Sequence, residues 1–221
     1  MYLPPQFKGN IDQAKDLIRN HPFASLISVD DAGLPYVTHL PLHLETRDGQ
    51  LVLLGHCAKP NPHWRDLQAR PQAVATFLGP HAYLSPRVYP DLARVPTWNY
   101  LAVHCTLQAT LVEDPAGKDA LLKKLIGDHE PPYAEQWRGL DEEFAHKMLA
   151  GIVAFELQVT DLQCKLKLNQ HRTEAHVAMK AIYAAGSSDE QALAGWIDRL
   201  GMTGPPPAAG APVTGKSPLA S

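Results

Sequence analysis

Two stretches of the chain concentrate side chains able to hold a ligand. In Gly55-His56-Cys57-Ala58-Lys59-Pro60-Asn61-Pro62-His63-Trp64, an apolar strand-like run gives way to a helix start. The amino terminus of a helix offers unpaired N–H groups and a partial positive charge, and Lys59 adds a full charge just before it, so this junction suits a phosphate. In Gly79-Pro80-His81-Ala82-Tyr83-Leu84-Ser85-Pro86 and Val95-Pro96-Thr97-Trp98-Asn99-Tyr100-Leu101-Ala102-Val103-His104, aromatic rings, amides and imidazoles alternate with prolines. A flat apolar ring with polar edges needs such a stacking surface plus a few amide or hydroxyl partners. A phosphate site together with a ring site points to a flavin mononucleotide.

Other chemistries find less support. His39 and His43 are four apart on a strand and so share a face, but no third ligand lies at useful spacing, and ordinary hydrogen-bonded histidine is the reading kept. A Gly-x-Ser-x-Gly turn and a Gly-x-Gly-x-x-Gly after a strand are both missing. Gly210-Ala211-Pro212-Val213-Thr214-Gly215-Lys216-Ser217 matches the phosphate-binding loop pattern letter for letter. That loop requires a strand before it and a helix opening at the Lys-Ser pair, whereas here a proline-rich run precedes and four residues follow. Cys57, Cys105 and Cys164 are odd in number and far apart, which leaves free or buried thiols of a reducing compartment rather than a disulfide framework or a Cys-x-x-Cys motif.

The elements that must position these residues are mainly strands. Asn10, with Gln13 three residues later, caps a helix over Ile11 to Asn20, which His21-Pro22 ends. Phe23 to Val29 and Pro35 to Leu44 flank Asp30-Asp31-Ala32-Gly33 and read as a hairpin. Leu51 to His56, Ala73 to Leu78, Leu101 to Val112 and Gly151 to Leu162 read as further strands. Asn61 caps the helix that begins with Pro62 at its first position. Pro115 to Ile126 and Asp141 to Leu149 have the spacing of amphipathic covers. Thr173 to Ala184 and Ser188 to Leu200 are two later helices, the second with a Ser188 to Gln191 capping box and Gly201 past its end. Short antiparallel strands without regular strand-helix alternation imply an α+β, mainly β chain: a closed or half-closed antiparallel split barrel with peripheral helices. Residues 1–203 are expected to form one domain, and the Pro/Gly/Ala-rich 204–221 a disordered tail.

The 221 residues carry 45% hydrophobic and 19% charged side chains, an ordinary globular balance, and no apolar run approaches the roughly 18 residues needed to span a bilayer. Without a basic-then-apolar leader, a cytoplasmic protein with no membrane contact is expected. A net charge of −3 argues against a wholesale phosphate-backbone surface, which would need clustered Lys and Arg.

Taken together, Met1-Tyr2-Leu3-Pro4 and Phe7, His56 with Asn61-Pro62-His63-Trp64, Gly79 through Pro86, Tyr89-Pro90, Val95 through Tyr100, and Lys165-Leu166-Lys167-Leu168-Asn169-Gln170-His171-Arg172 resemble the PaiB-type FMN-binding transcriptional regulators over about residues 1 to 200. The resemblance implies a pyridoxamine-phosphate-oxidase-like split barrel and a homodimer with FMN at the interface. It also implies a phosphate held by Thr38, His39 and Leu40 and by His56, Lys59, Asn61 and Trp64, with Trp98, Asn99, His104, Gln170 and Arg172 contributing at the interface. Lys59 stands where the family is expected to carry arginine, and offers a point charge rather than a two-pronged donor. Lys165, Lys167 and Arg172 are the one basic cluster that could meet DNA, although no helix-turn-helix is recognisable. The implied function is a repressor responding to FMN. A flavin-dependent oxidoreductase is the alternative, and a haem-handling barrel using His39, His56 or His104 is a third.

Overall fold

The computed structural model describes residues 1–91 and 93–204. Its strands are β1 (Phe23–Val29), β2 (Pro35–Pro41), β3 (His43–Arg47), β4 (Gln50–Ala58), β5 (Gln72–Leu84), β6 (Thr97–Val112) and β7 (Ile152–Lys167). Its helices are α1 (Ile11–Asn20), α2 (His63–Ala69), α3 (Pro115–His129), α4 (Tyr133–Arg138), α5 (Glu142–Ala150), α6 (His176–Ala184) and α7 (Ser188–Arg199). The tail expected at 204–221 and the Gly210 to Ser217 stretch lie, beyond Gly204, outside the described residues.

The chain divides into two compact units: Met1–His81 with Asn99–Lys167, and Ala82–Trp98 with Leu168–Ser221. The first holds most of a seven-stranded sheet of order β2-β1-β5-β6-β7-β4-β3. The β1–β2, β1–β5, β3–β4, β4–β7 and β6–β7 ladders are antiparallel. The two edge strands, β2 and β3, are separated in sequence only by Leu42, so the sheet must curl until its edges nearly meet. The hydrogen-bonded order stays open between those edges, so of the closed and half-closed forms expected this is the half-closed one: a barrel split along the β2–β3 seam.

The same seam corrects the reading of Pro35 to Leu44 as one strand. Leu42 is almost fully buried, and its N–H donates to Pro22 O at 3.0 Å rather than to a sheet neighbour. Gly55 lies under this corner; a Cβ there would meet Leu42 Cδ2 at 2.5 Å and Phe155 Cε2 at 3.1 Å. Leu26, Leu53, Phe77, Leu101, Phe155 and Leu157 fill the barrel, each excluding water at about 1.5–3 kcal/mol. Helix α1 carries the expected capping box, with Gln13 N donating to Asn10 Oδ1 and Asn10 N to Gln13 Oε1. Its buried face is Ala14, Leu17 and Ile18. Leu121 and Leu125 of α3 pack with Val52, Leu54 and Ala154, so this helix covers the sheet as expected, through two leucines rather than a full amphipathic face.

The second unit centres on α6 and α7. The α7 capping box is Ser187 with Glu190, one residue earlier than the sequence suggested, because Ser188 is already helical. Tyr183 is buried and donates to Tyr83 O at 3.3 Å, and Asn169, at a φ of 65°, donates from Nδ2 to Tyr89 Oη at 2.9 Å.

Candidate functional site

The β4–α2 junction folds back onto β2 through one polar ring. Asn61 Nδ2 donates to Thr38 Oγ1 at 3.1 Å, and His63 Nδ1 lies 2.8 Å from the same oxygen. Asn61 Oδ1 accepts from His63 N at 3.1 Å and from Tyr36 Oη at 3.4 Å, while the Tyr36 and His63 rings meet edge to face at 5.0 Å. Asn61 thus leads the chain into α2 by an Asx-type turn, but the helix starts at His63 with Pro62 in the cap position, one residue later than the sequence suggested. The two acceptor bonds of Asn61 fix which side of its amide is oxygen. With one Nδ2 hydrogen on Thr38, the second points away from the ring. Trp64 Nε1 donates to Lys59 O at 3.0 Å, which ties the Trp64 ring to the start of the junction and leaves the Lys59 side chain exposed.

Two imidazoles here are short of partners. His63 is 1% exposed, and its Nε2 has no hydrogen-bond partner; His56 Nδ1 is in the same position. Burial pushes both imidazoles below the usual histidine range, with Asp66 opposing this weakly at His63, so both are neutral near pH 7. With His63 Nδ1–H and Asn61 Nδ2–H both donating to Thr38 Oγ1, the Thr38 hydroxyl hydrogen, the spare Asn61 amide hydrogen and the exposed Lys59 ammonium are the donors left for a phosphate ester, and His63 Nε2 is an acceptor. Helix α2, with seven residues, is too short for its dipole to matter much; the side chains carry the charge complementarity.

The other expected residues are distributed more widely. Thr38 joins Asn61 on the inner side of β2, but His39 points to the outer face, where its Nδ1 lies 3.1 Å from Ser25 Oγ. Leu40 is buried, 3.2 Å from where a Gly55 Cβ would stand, and belongs to the core rather than to a ligand surface. Asn99 is fully buried on β6. His104 lies opposite Gln163 on β6–β7, and its imidazole is lowered by burial, then by the Met1 ammonium and Lys165. In the second unit, Trp98 is 49% exposed with Tyr83 edge-on at 6.4 Å, Gln170 Oε1 accepts from Leu168 N at 3.0 Å, and Arg172 N donates to Asn169 O at 3.0 Å. Lys165 is 7% exposed, so it cannot lie along a DNA backbone as expected. Tyr36 and His63 were missed as ring members; the period-two spacing of Tyr36 with Thr38 was the available signal. Among the described residues, no group of three or more His, Cys, Asp or Glu could hold a metal.

Residues 1–161 match the family described as "Putative FMN-binding domain". The chain is also 34% identical over 178 residues to protease synthase and sporulation protein PAI 2 of Bacillus subtilis, covering 79% of this chain and 84% of that one. This chain belongs to the PaiB-type FMN-binding family. FMN is the cofactor of that family, and the donor set at Thr38, Asn61 and Lys59 fits its phosphate. Among solved structures, the flavocytochrome Anf3 of Azotobacter vinelandii superposes with a TM-score of 0.59 at 18% identity, covering 72% of this chain and 68% of that one. The FAD and heme binding protein of Mycobacterium smegmatis gives 0.54 at 20% identity, covering 72% and 71%. At these identities the likeness speaks for the split-barrel fold alone. Among the described residues, no helix is long and apolar enough to cross a membrane.

Proposed function

We propose that this PaiB-type protein is an FMN-dependent regulator that works as a homodimer in the cytoplasm. The observation that carries the reading is the hydrogen-bonded ring of Tyr36, Thr38, Asn61 and His63, because it preorganises donors at the junction where the family resemblance implies the phosphate. The Thr38 hydroxyl, the second Asn61 amide hydrogen and the Lys59 ammonium hold the phosphate. Neutral His63 orients the Thr38 hydroxyl, and Trp64 anchors the Lys59 segment. His56 and His39 flank this junction on β4 and β2. Bound FMN supplies a redox-active ring and a visible chromophore; the protein supplies grip and position.

The relative's name, which concerns protease synthesis and sporulation, supports a regulatory role over a metabolic one. Cys57, Cys105 and Cys164 are free and buried, in keeping with a reducing compartment, and burial pushes the Cys105 thiol up to about 12 and Cys164 up to about 11. Residues Trp98, Asn99, Gln170 and Arg172 enter the reading as interface contributors, and the regulator's macromolecular target is met without Lys165.

The test is reconstitution with FMN, followed by selection from a random duplex library with loaded and empty protein. Saturable quenching of FMN fluorescence and a sequence preference that changes with FMN occupancy are expected. Rapid oxidation of a nicotinamide donor, with no duplex retained in either state, would replace the regulator by an oxidoreductase.

A further inference from the structure

Positive charge collects on the outer face of β6–β7 at their Lys167 end. Register sets Tyr100 opposite Lys167, Ala102 opposite Lys165 and His104 opposite Gln163, and directly opposed side chains in such a ladder share a face. Lys8 bridges Lys165 from the other side, so Lys8, Lys165, Lys167 and His104 share one face. The Lys165 ammonium donates to Tyr2 O at 2.9 Å and lies 5.6 Å and 5.1 Å from the Tyr2 and Tyr100 ring centroids. Lys167 Nζ lies 5.8 Å from the Tyr100 centroid. Among the described residues, no carboxylate reaches ion-pair distance of Lys8 or Lys165. Asp161, on the same face of β7, is four residues away, about 13 Å of extended strand.

Lysine is almost never this buried unless paired, because desolvating an ammonium is costly. One carbonyl takes one of its three N–H groups, and the other two face aromatic rings rather than an anion. We propose that this face is a second ligand site, in which Lys165, with Lys8 and Lys167 beside it, binds the phosphate group of a small molecule at the edges of the Tyr2 and Tyr100 rings. His104, held neutral by burial and by the neighbouring cations, adds a donor without a further charge. The site is separate from the flavin junction: Lys59 N bonds Gly151 O, next to the start of the 16-residue β7, whereas Lys165 and Lys167 close its other end. Because Asn99 and Gln170, proposed as flavin contacts across the interface, adjoin this face in sequence, competition between orthophosphate and FMN is one of the outcomes tested below. A duplex backbone would need its cations on the surface, and the anchoring cation here is recessed.

Orthophosphate titrated calorimetrically into FMN-saturated protein, at ionic strength matched with sodium chloride, is the test. Saturable binding is expected, about tenfold weaker in Lys165→Met and severalfold weaker in Lys8→Ala, with FMN fluorescence quenching unchanged in both. Lys8 is exposed, so its variant keeps the test valid if Lys165→Met fails to fold. Phenyl phosphate binding more tightly than orthophosphate would assign the site to a phosphate ester; equal binding would assign it to free phosphate. Heat no different from chloride, unchanged binding in both variants, competition between orthophosphate and FMN, or displacement of orthophosphate by a short duplex at lower concentration would each overturn the proposal.

Discussion

Asn61 does three things at once: it accepts from His63 N at the start of α2, receives Tyr36 and orients Thr38. Asn61→Ala therefore loses the bond to His63 N and two side-chain bonds, to Tyr36 and Thr38, at about 2–3 kcal/mol of stability. FMN affinity should fall further than that stability change explains, by at least tenfold, in a fluorescence titration of the folded variant. Lys59→Ala tests the charge without touching the ring. Its FMN affinity should drop while the urea midpoint stays put, and unchanged affinity would remove Lys59 from phosphate binding. The buried imidazoles make a separate prediction. His56, His63 and His104 all sit below the usual histidine range, mainly through burial. The unfolded chain then binds more protons than the folded one below about pH 6.5, so their contribution is present above that pH and is lost as pH falls toward the folded values. Glu45 behaves likewise further down: burial raises it, but bonds from Lys124 and Arg47 outweigh this and hold it low. The urea midpoint should therefore decline between pH 7.5 and 5.5, before the carboxylates titrate, and His63→Leu should flatten that slope. A midpoint independent of pH in this window would mean the imidazoles are hydrated rather than buried.

At the scale of elements, what sequence could reveal depended on whether the signal was local. The α1 cap at Asn10 and Gln13 and the Asp30 to Gly33 turn are short-range hydrogen-bond patterns, and the structure reproduces them; the α2 start falls one residue later than expected, at His63. The β2–β3 corner was illegible because Leu42 continues an apolar run. Its break is made by Pro22 and by the core beneath Gly55, both distant in sequence. β5, β6 and β7 outrun their expected ends for a related reason: Tyr83, Trp98 and Lys165 look like ligand or surface residues, yet ladder partners extend the strands through them. Likewise, Thr38 and Asn61 were implied as phosphate residues by family likeness, whereas their bond to each other and the His63 member depended on a fold-back invisible to spacing. Gly55 tests the corner directly. A methyl at Gly55 meets Leu42, Phe155 and Leu40 at 2.5–3.2 Å, so Gly55→Ala should cost about 1–3 kcal/mol in urea unfolding, as overpacked cores do. An unchanged midpoint would mean the seam can open to make room.

For the whole molecule, the outer face of β2-β1-β5 bears on assembly. Alternation puts Phe23, Ile27 and Val29 of β1, Val37 of β2, and Val74 and Leu78 of β5 on one side, with Phe23 67%, Leu78 56% and Val37 46% exposed. A groove of about 560 Å³ runs along this side, lined by Ile27, Val29, Pro35, Val74, Thr106 and Gln108. Monomeric proteins rarely leave a contiguous apolar face of this kind to water, and a stable pair needs about 800 Å² from each partner. The homodimer proposed for FMN binding therefore has a candidate surface, and His39 lies within it. Light scattering should give twice the 24.2 kDa chain mass for the wild type at tens of micromolar. Phe23→Asp with Val37→Asp should halve that mass, because buried unpaired carboxylates cost far more than the lost apolar contacts. Neither side chain points into the barrel, so the double variant should keep its far-UV circular dichroism while losing FMN affinity, since each flavin would then have only one chain to hold it. A variant that stays dimeric moves the interface to another face. A variant that turns monomeric yet binds FMN as tightly as the wild type places the whole flavin site within one chain.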